Sequence, residues 1–331
     1  MLDRDHRFVR LAMGAVLTVL CSNSSAYAQS WPTRPITMVV PFAADSASDT
    51  AGRVLAAGLS EVLGQQVIIE NVAGAGSMTG TARVAQATPD GYQFVFASVD
   101  SMAIVPNMYK KPIYNSLTDF APVSLVVDQP IVLIARKDLP VSTMQEFAAF
   151  AKANQAKMQF GSSGVGSGSH FACARLNAAL GIEPTHVPYR GSGQAMQDLT
   201  AGRIDFFCAL GAAAMGPIEA GNAKPIALLT SEKSSLFPML KTAKEQGFSG
   251  VDSYFWTAFL LPKDTPESIV KRLSEATSQT LNSATTLERL KKVGVTAASP
   301  EFRSPEYLKS FLGTEMEKWT AMVKASGVSI D

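Results

Sequence analysis

A single stretch, VVPFAADSASDTAGRVLAAGLSEVLGQQVIIENVAGAG over 39–76, commits the chain to an α/β fold. Val39 and Val40 end an apolar strand at Pro41, and Ser46, Ser48 and Asp49 offer helix-capping side chains where the apolar spacing of Val54, Leu55, Leu59, Val62 and Leu63 begins. Gly64 closes that helix, and a second strand then runs into another glycine loop, Gly74 to Gly76. A strand-to-helix turn of this kind points unpaired backbone amides and the positive end of a helix dipole at one spot, which suits an anion. The same residues also fit an ordinary βα turn with a good cap, and this segment alone does not separate the two.

The N-terminus sets the expected compartment. Arg4, Arg7 and Arg10 precede an apolar run over 11–20, and Ala26-Tyr27-Ala28 has the A-x-A form of a cleavage site. Together these predict a secretory signal peptide over 1–28, cut after Ala28, and an exported mature protein. Cys21 follows Leu20 rather than the small residue that lipid attachment needs, so export in soluble form is expected. No later segment is long and apolar enough to suggest a membrane span. Losing the leader removes three Arg and two Asp from 29 basic and 28 acidic residues, which leaves the two signs equal. Such a chain has no electrostatic footprint for nucleic acid. The two cysteines that remain, Cys173 and Cys208, form either a disulfide, as an oxidising compartment favours, or two buried free thiols.

The rest of the pattern alternates strand and helix. The first half predicts strands over 35–40, 67–70 and 93–97 with helices over 48–63 and 77–86, a βαβαβ unit. The middle repeats the theme, with strands over 158–160, 185–187, 204–208 and 224–229 and helices over 169–180, 192–200 and 212–220. Between the units lies an apolar stretch, 122–135, interrupted by Asp128-Gln129-Pro130. It suits a segment leaving one unit for another. The return crossing falls at 254–262, a stretch that pattern alone also allows as a core strand of one larger domain; helices over 267–281 and 305–325 close the chain. Open α/β units bind at the carboxyl ends of their strands, and each unit offers a small-residue loop there.

The second of those loops, FGSSGVGSGSH over 160–170, brings serine hydroxyls and glycine amides to a helix N-terminus. A dinucleotide fingerprint does not fit it. From Gly164 and Gly166 the third glycine place is Ser169, from Gly166 and Gly168 it is Phe171, and no acidic residue ends the following strand. Beyond the leader the chain holds only His170 and His186, no His–Cys cluster with metal spacing and no G-x-S-x-G elbow. A secreted hydrolase using Ser163 or Ser167 with His170 is the reading of a different class. For His170 the alternatives are loop capping, a ligand hydrogen bond, or partial exposure.

Motif order supplies what the residues alone do not. Pro41, Phe42, Ala44 and Asp49 are followed by Glu70, Asn71, Gly74, Ala75 and Gly76, then by Pro89-Asp90-Gly91-Tyr92 and Asp119-Phe120-Ala121-Pro122-Val123. Gly161-Ser162-Ser163-Gly164, His186-Val187-Pro188-Tyr189-Arg190-Gly191 and the region 256–266 complete the series. This succession resembles the periplasmic solute receptors of the tripartite tricarboxylate transporter class, the TctC-like or Bug family, over essentially the whole mature chain. The resemblance implies a two-lobed periplasmic-binding-protein-like fold of type II, each lobe an open α/β sheet, with two crossover strands. Lobe 1 is expected to comprise 29–128 and 255–331, and lobe 2 129–254. It implies a solute-binding protein rather than an enzyme, monomeric and without a cofactor. Such a protein takes a small di- or tricarboxylate or aromatic acid and delivers it to inner-membrane permease subunits. A receptor of the same fold feeding a signalling partner is the alternative.

Carried over by motif position, the ligand contacts are Phe42, Ala43, Ala44, Asp45, Ser46, Asp49 and Ser98 in the first lobe. In the second they are Ser162, Ser163, Gly166, Ser167, Tyr189 and, at a strand end, Ala209; Tyr189 reads equally as a core tyrosine. Two departures stand out. Asp45-Ser46 replaces the family's glycine pair, placing a carboxylate near the expected anion, and two negative charges about 4 Å apart repel by about 4 kcal/mol at a surface-like dielectric. Asp45 therefore points away, bridges through water, or recognises an amine or hydroxyl. Ala209 stands where relatives often have Asp or Asn; beside Phe206 and Phe207 it makes either a more apolar pocket or plain core.

Overall fold

In the computed structural model, which describes residues 31–326, strand β1 (Ile36–Val40) leads through a tight turn into helix α1 (Ala47–Leu63). Ser46 caps this helix, its Oγ accepting from Asp49 N, and Gly64 ends it in the left-handed region at φ 68°. Strands β2 (Val67–Asn71) and β3 (Gln93–Ser98) flank β1 in parallel, with Ile36 opposite Val67 and Thr37 opposite Gln93. Helix α2 (Met78–Ala85) makes the second crossover. The βαβαβ unit is thus present. The leader expected over 1–28 lies outside the described residues, and the chain from Arg34 onward packs as one unit.

After β3 the chain takes a π-helical turn, Asp100–Ile104, and a 3-10 turn, Val105–Met108, neither foreseen in the sequence. It then enters β4 (Phe120–Arg136), a strand of 17 residues. The expected interruption at Asp128-Gln129-Pro130 does not break it. Residues Phe120 to Pro130 pair with β9 (Tyr254–Pro262), and from Ile131 onward β4 pairs with β7 (Phe206–Leu210) and β8 (Ala223–Leu228). Pro130, which has no N–H to give, sits where the strand changes partners. Strand β4 is therefore shared by two sub-sheets.

The second sub-sheet is completed by β5 (Gln159–Ser162) and β6 (Thr185–Pro188), parallel to each other. Its helices are α3 (Met144–Asn154), α4 (Gly168–Leu180), α5 (Ser192–Thr200) and α6 (Gly211–Glu219). The path of strands runs β2-β1-β3-β9-β4-β7-β5-β6, with β8 and a short β10 (Thr296–Ala297) joined to β4. Along β4 and β7 the side chains alternate between two cores: Ile131, Leu133, Phe206 and Cys208 face one, and Val132, Ile134, Phe207 and Ala209 the other. Helices α7 (Glu267–Asn282), α8 (Ala284–Lys292) and α9 (Pro305–Ser326) follow β9 and return to the first lobe.

Cys173 on α4 and Cys208 on β7 are joined as a disulfide, with Cα atoms 5.5 Å apart. Helix α9 is anchored to β9 by Glu315, which is buried and accepts from Trp256 Nε1 at 2.8 Å, Trp319 Nε1 at 3.2 Å and the Tyr254 hydroxyl. Trp319 also meets Phe171 of α4 edge-on, so α9 touches both lobes. No helix among the described residues is long and apolar enough to cross a membrane.

Candidate functional site

The carboxyl ends of β1, β2, β3 and β5 converge on a cavity of about 710 Å³ between the lobes. From the first lobe its wall takes Pro41, Phe42, the loop Ala73 to Ser77, Asp100 and Tyr109; from the second, Ser163, Gly164, Val165, Ser167, Tyr189 and Arg190. This volume falls in the usual range for small-ligand sites. A second, water-sized hole of about 10 Å³ lies alongside, bordered by Ser46, Ser48, Asp100, Ser163, Ser167, Ser169 and Ser192.

The residues named by motif position are spread over this region unequally. Phe42, Ser163, Ser167 and Tyr189 line the main cavity, and Ser46 lines the small hole. Ala43 lies at the lobe boundary near Gly191, and Ala44 is exposed. Asp45 is exposed on the wall of a different cavity, with Thr50, Ser192 and Gln197. Asp49 is buried beneath the loop and holds it, accepting from Asp45 N at 3.0 Å, Arg53 Nε at 2.9 Å and Asn71 Nδ2 at 2.9 Å. Ser98 and Ala209 are fully buried away from both walls, as are Phe206 and Phe207, which pack into the two cores. Gly166, at φ 81°, faces Met108 and Val105 of the first lobe.

The second-lobe loop spends most of these amides on its own residues and one on the first lobe. Ser163 N donates to Ser169 Oγ, Gly164 N to Ser162 Oγ, Gly166 N to His170 Nδ1, Ser167 N to Gly164 O and Gly168 N to Asp100 Oδ1. The serine hydroxyls and glycine amides expected to converge here do meet, but these amides are already taken, by Ser162 and Ser169 hydroxyls, the His170 ring, the Gly164 carbonyl and Asp100. Ser162 is fully buried, and its hydroxyl lies 2.7 Å from His186 Nε2, behind the loop rather than on the cavity wall. His170 gives its Nδ1 to the loop, and its ring stacks on His186 at 4.1 Å between centroids. Neither Ser163 nor Ser167 is paired with the His170 ring. The Tyr189 hydroxyl donates to Asp198, leaving its ring as the wall.

The ligand contacts carried over by motif leave out the loop after β2. Gly74, Ala75, Gly76 and Ser77 all have positive φ, at 144°, 45°, 61° and 78°. Such conformations are costly for non-glycine residues and concentrate at functional sites. Ala75 and Gly76 open a short 3-10 turn, so their amides have no intrahelical acceptor, and both residues line the cavity. The signal was present as Gly74-Ala75-Gly76, at the carboxyl end of a predicted strand. Asp100 was also missed. It is 2 % exposed, and burial pushes its carboxyl up to about 8, the Gly168 amide acting in the opposite direction. Arg190, exposed, is the cation among the lining residues.

Two α/β sub-sheets sharing crossing strands, with loops of both on one cavity wall, define a two-lobed binding protein. The chain belongs to the tripartite tricarboxylate transporter family receptors, whose profile matches residues 51–328. It is similar to the periplasmic binding protein BugD, with 33 % identity and a TM-score of 0.86 over 90 % of this chain and 99 % of that one. MatC from Rhodopseudomonas palustris, solved with bound malate, is 33 % identical with a TM-score of 0.83, covering 88 % of this chain and all of MatC. A further R. palustris protein, solved with adipate, is 29 % identical with a TM-score of 0.85 over 90 % and 99 % of the two chains.

Proposed function

We propose that this chain is a periplasmic solute receptor that captures a small carboxylate between its lobes and presents the closed form to an inner-membrane permease. The observation that carries the reading is the cavity whose wall alternates between the Ala73–Ser77 loop of one lobe and the Ser163–Val165 loop of the other. A ligand touching both loops favours the closed arrangement through contacts it lacks in the open one. The amides of Ala75 and Gly76, the Ser163 hydroxyl and Arg190 supply donors for a carboxylate, while Phe42, Val165 and the Tyr189 ring bury its carbon chain. The malate and adipate of the related structures are carboxylates of the kind such a wall accepts.

A thermal-shift screen of mono-, di- and tricarboxylates, aromatic acids and amino acids tests this. A ligand at 100 times its dissociation constant adds about 2.7 kcal/mol of stability. Ser163→Ala is expected to reduce that gain by roughly 1.5 kcal/mol or more, the worth of one hydrogen bond to a charged group. Stabilisation by no carboxylate at all would contradict the reading.

A further inference from the structure

Asp100 poses a problem that the receptor reading does not solve by itself. A cleft built to take an anion holds a carboxyl group of its own, 2 % exposed, on the walls of both the main cavity and the adjoining water-sized hole. Its Oδ1 accepts from Gly168 N of the opposite lobe at 2.8 Å. Gly168 permits that approach, since a Cβ there would lie 2.9 Å from the same oxygen. No other hydrogen bond to the carboxyl is present among the described residues, so Oδ2 is left to the cavity.

We propose that Asp100 is a specificity-determining residue of this cleft, a neutral carboxylic acid whose Oδ1 is held by the Gly168 amide and whose Oδ2 hydroxyl donates to a carboxylate of the ligand. The proposal rests on the carboxylate-receptor reading and adds a proton to it. A neutral acid removes the repulsion between two buried anions and turns the same group into a donor. Its surroundings favour that form. The walls nearest it are serines, Phe42 and Phe255. The titratable and charged groups on the elements around it are Tyr109 and Arg190 on the cavity wall, Asp49, Arg53 and Glu61 on α1, His170 and Arg175 on α4, and Glu306, Tyr307, Lys309, Glu315, Glu317, Lys318 and Lys324 on α9. None of these contributes to the shift, which comes from burial against the single Gly168 hydrogen bond and brings the carboxyl to about 8. The sign follows: if the ligand binds the neutral form, affinity is full below about pH 8 and is lost as pH rises through it.

Calorimetric titration of malate and adipate into the protein, at steps from pH 6.5 to 9.5, tests the proposal. Both probes are ionised across this range; burial brings His170 down to about 4 and moves His186 below its ordinary value, so neither imidazole gains charge as the pH rises. For whichever probe binds, the wild-type dissociation constant is expected to weaken by about tenfold or more between pH 7 and pH 9.5. Asp100→Asn, which keeps an acceptor for Gly168 and a donor for the ligand, is expected to hold its pH 7 affinity within about threefold and to show a flat profile. Asp100→Ala, folded by circular dichroism, should bind at least about fivefold more weakly at pH 7. A wild-type affinity that is flat or improves with pH, or an Asp100→Asn protein that no longer binds, would overturn the role given to Asp100 while leaving the receptor reading intact. Binding of neither these nor any other carboxylate, at any pH, would overturn the receptor reading and the proposal with it.

Discussion

At the scale of single residues, backbone conformation decides where charge goes. Asp45 takes φ 61°, the left-handed region that glycine occupies without cost and that aspartate tolerates better than most residues. In that conformation its amide turns inward to Asp49 and its side chain is exposed on another wall, the first of the three outcomes open from sequence. Asp100 was illegible for a related reason. Motif position carried over to Ser98, but the π-helical turn that follows β3 puts Asp100 on the wall two residues onward, and no local pattern announces such a turn. His170 gives a prediction at this scale. Burial, and then the neighbouring His186, push its imidazole down to about 4, below the ordinary value near 6.5. The unfolded chain therefore binds more protons than the folded one between those values, and stability is lost as pH falls through that window. Melting curves from pH 7 to pH 4.5 should show this loss, and His170→Gln should show a shallower one. Equal slopes for the two proteins would contradict the assignment.

At the scale of elements, what was legible was local. The first strand, turn and helix were readable because the cap, the apolar period and the closing glycine all lie within a few residues of one another, and β1, α1 and β2 form where expected. Helix α3 carried a readable signal that went unused, Thr143 and Glu146 in a capping box. The continuity of β4 through Pro130 was not readable, because it depends on which strands lie alongside. The same holds for the loop amides of 163–168, whose partners are fixed by how the loop folds back on itself and, for Gly168, by Asp100 of the other lobe. The disulfide ties α4, which follows that loop, to β7 beneath it. On the chain-entropy account a bridge closing a loop of this length contributes about 3–4 kcal/mol. Peptide mapping of the unfolded, unreduced protein should find Cys173 and Cys208 unlabelled by a thiol reagent, and Cys208→Ser should lower the unfolding midpoint. Labelling at both positions would rule the bridge out.

At the scale of the whole molecule, the lobes meet through reciprocal caps. Asp100 of the first lobe accepts from the leading amide of α4, and Ser192 of the second accepts from the leading amide of α1, Ala47 N, at 3.1 Å. Gly76 and Val165 bring the two cavity loops close, and a Cβ at Gly76 would stand 3.4 Å from Val165 O. These contacts span the cleft beside the cavity and exist only while the lobes are together. The crossing strands β4 and β9 are the elements about which separation would occur, since they pair with each other in the first sub-sheet while β4 continues into the second. The central claim is that a carboxylate is held between the lobes, and small-angle scattering of the protein with and without a saturating, thermally stabilising carboxylate tests it most directly. The account predicts a fall in the radius of gyration that saturates with the ligand. A carboxylate that stabilises the protein yet leaves the radius of gyration unchanged would contradict it.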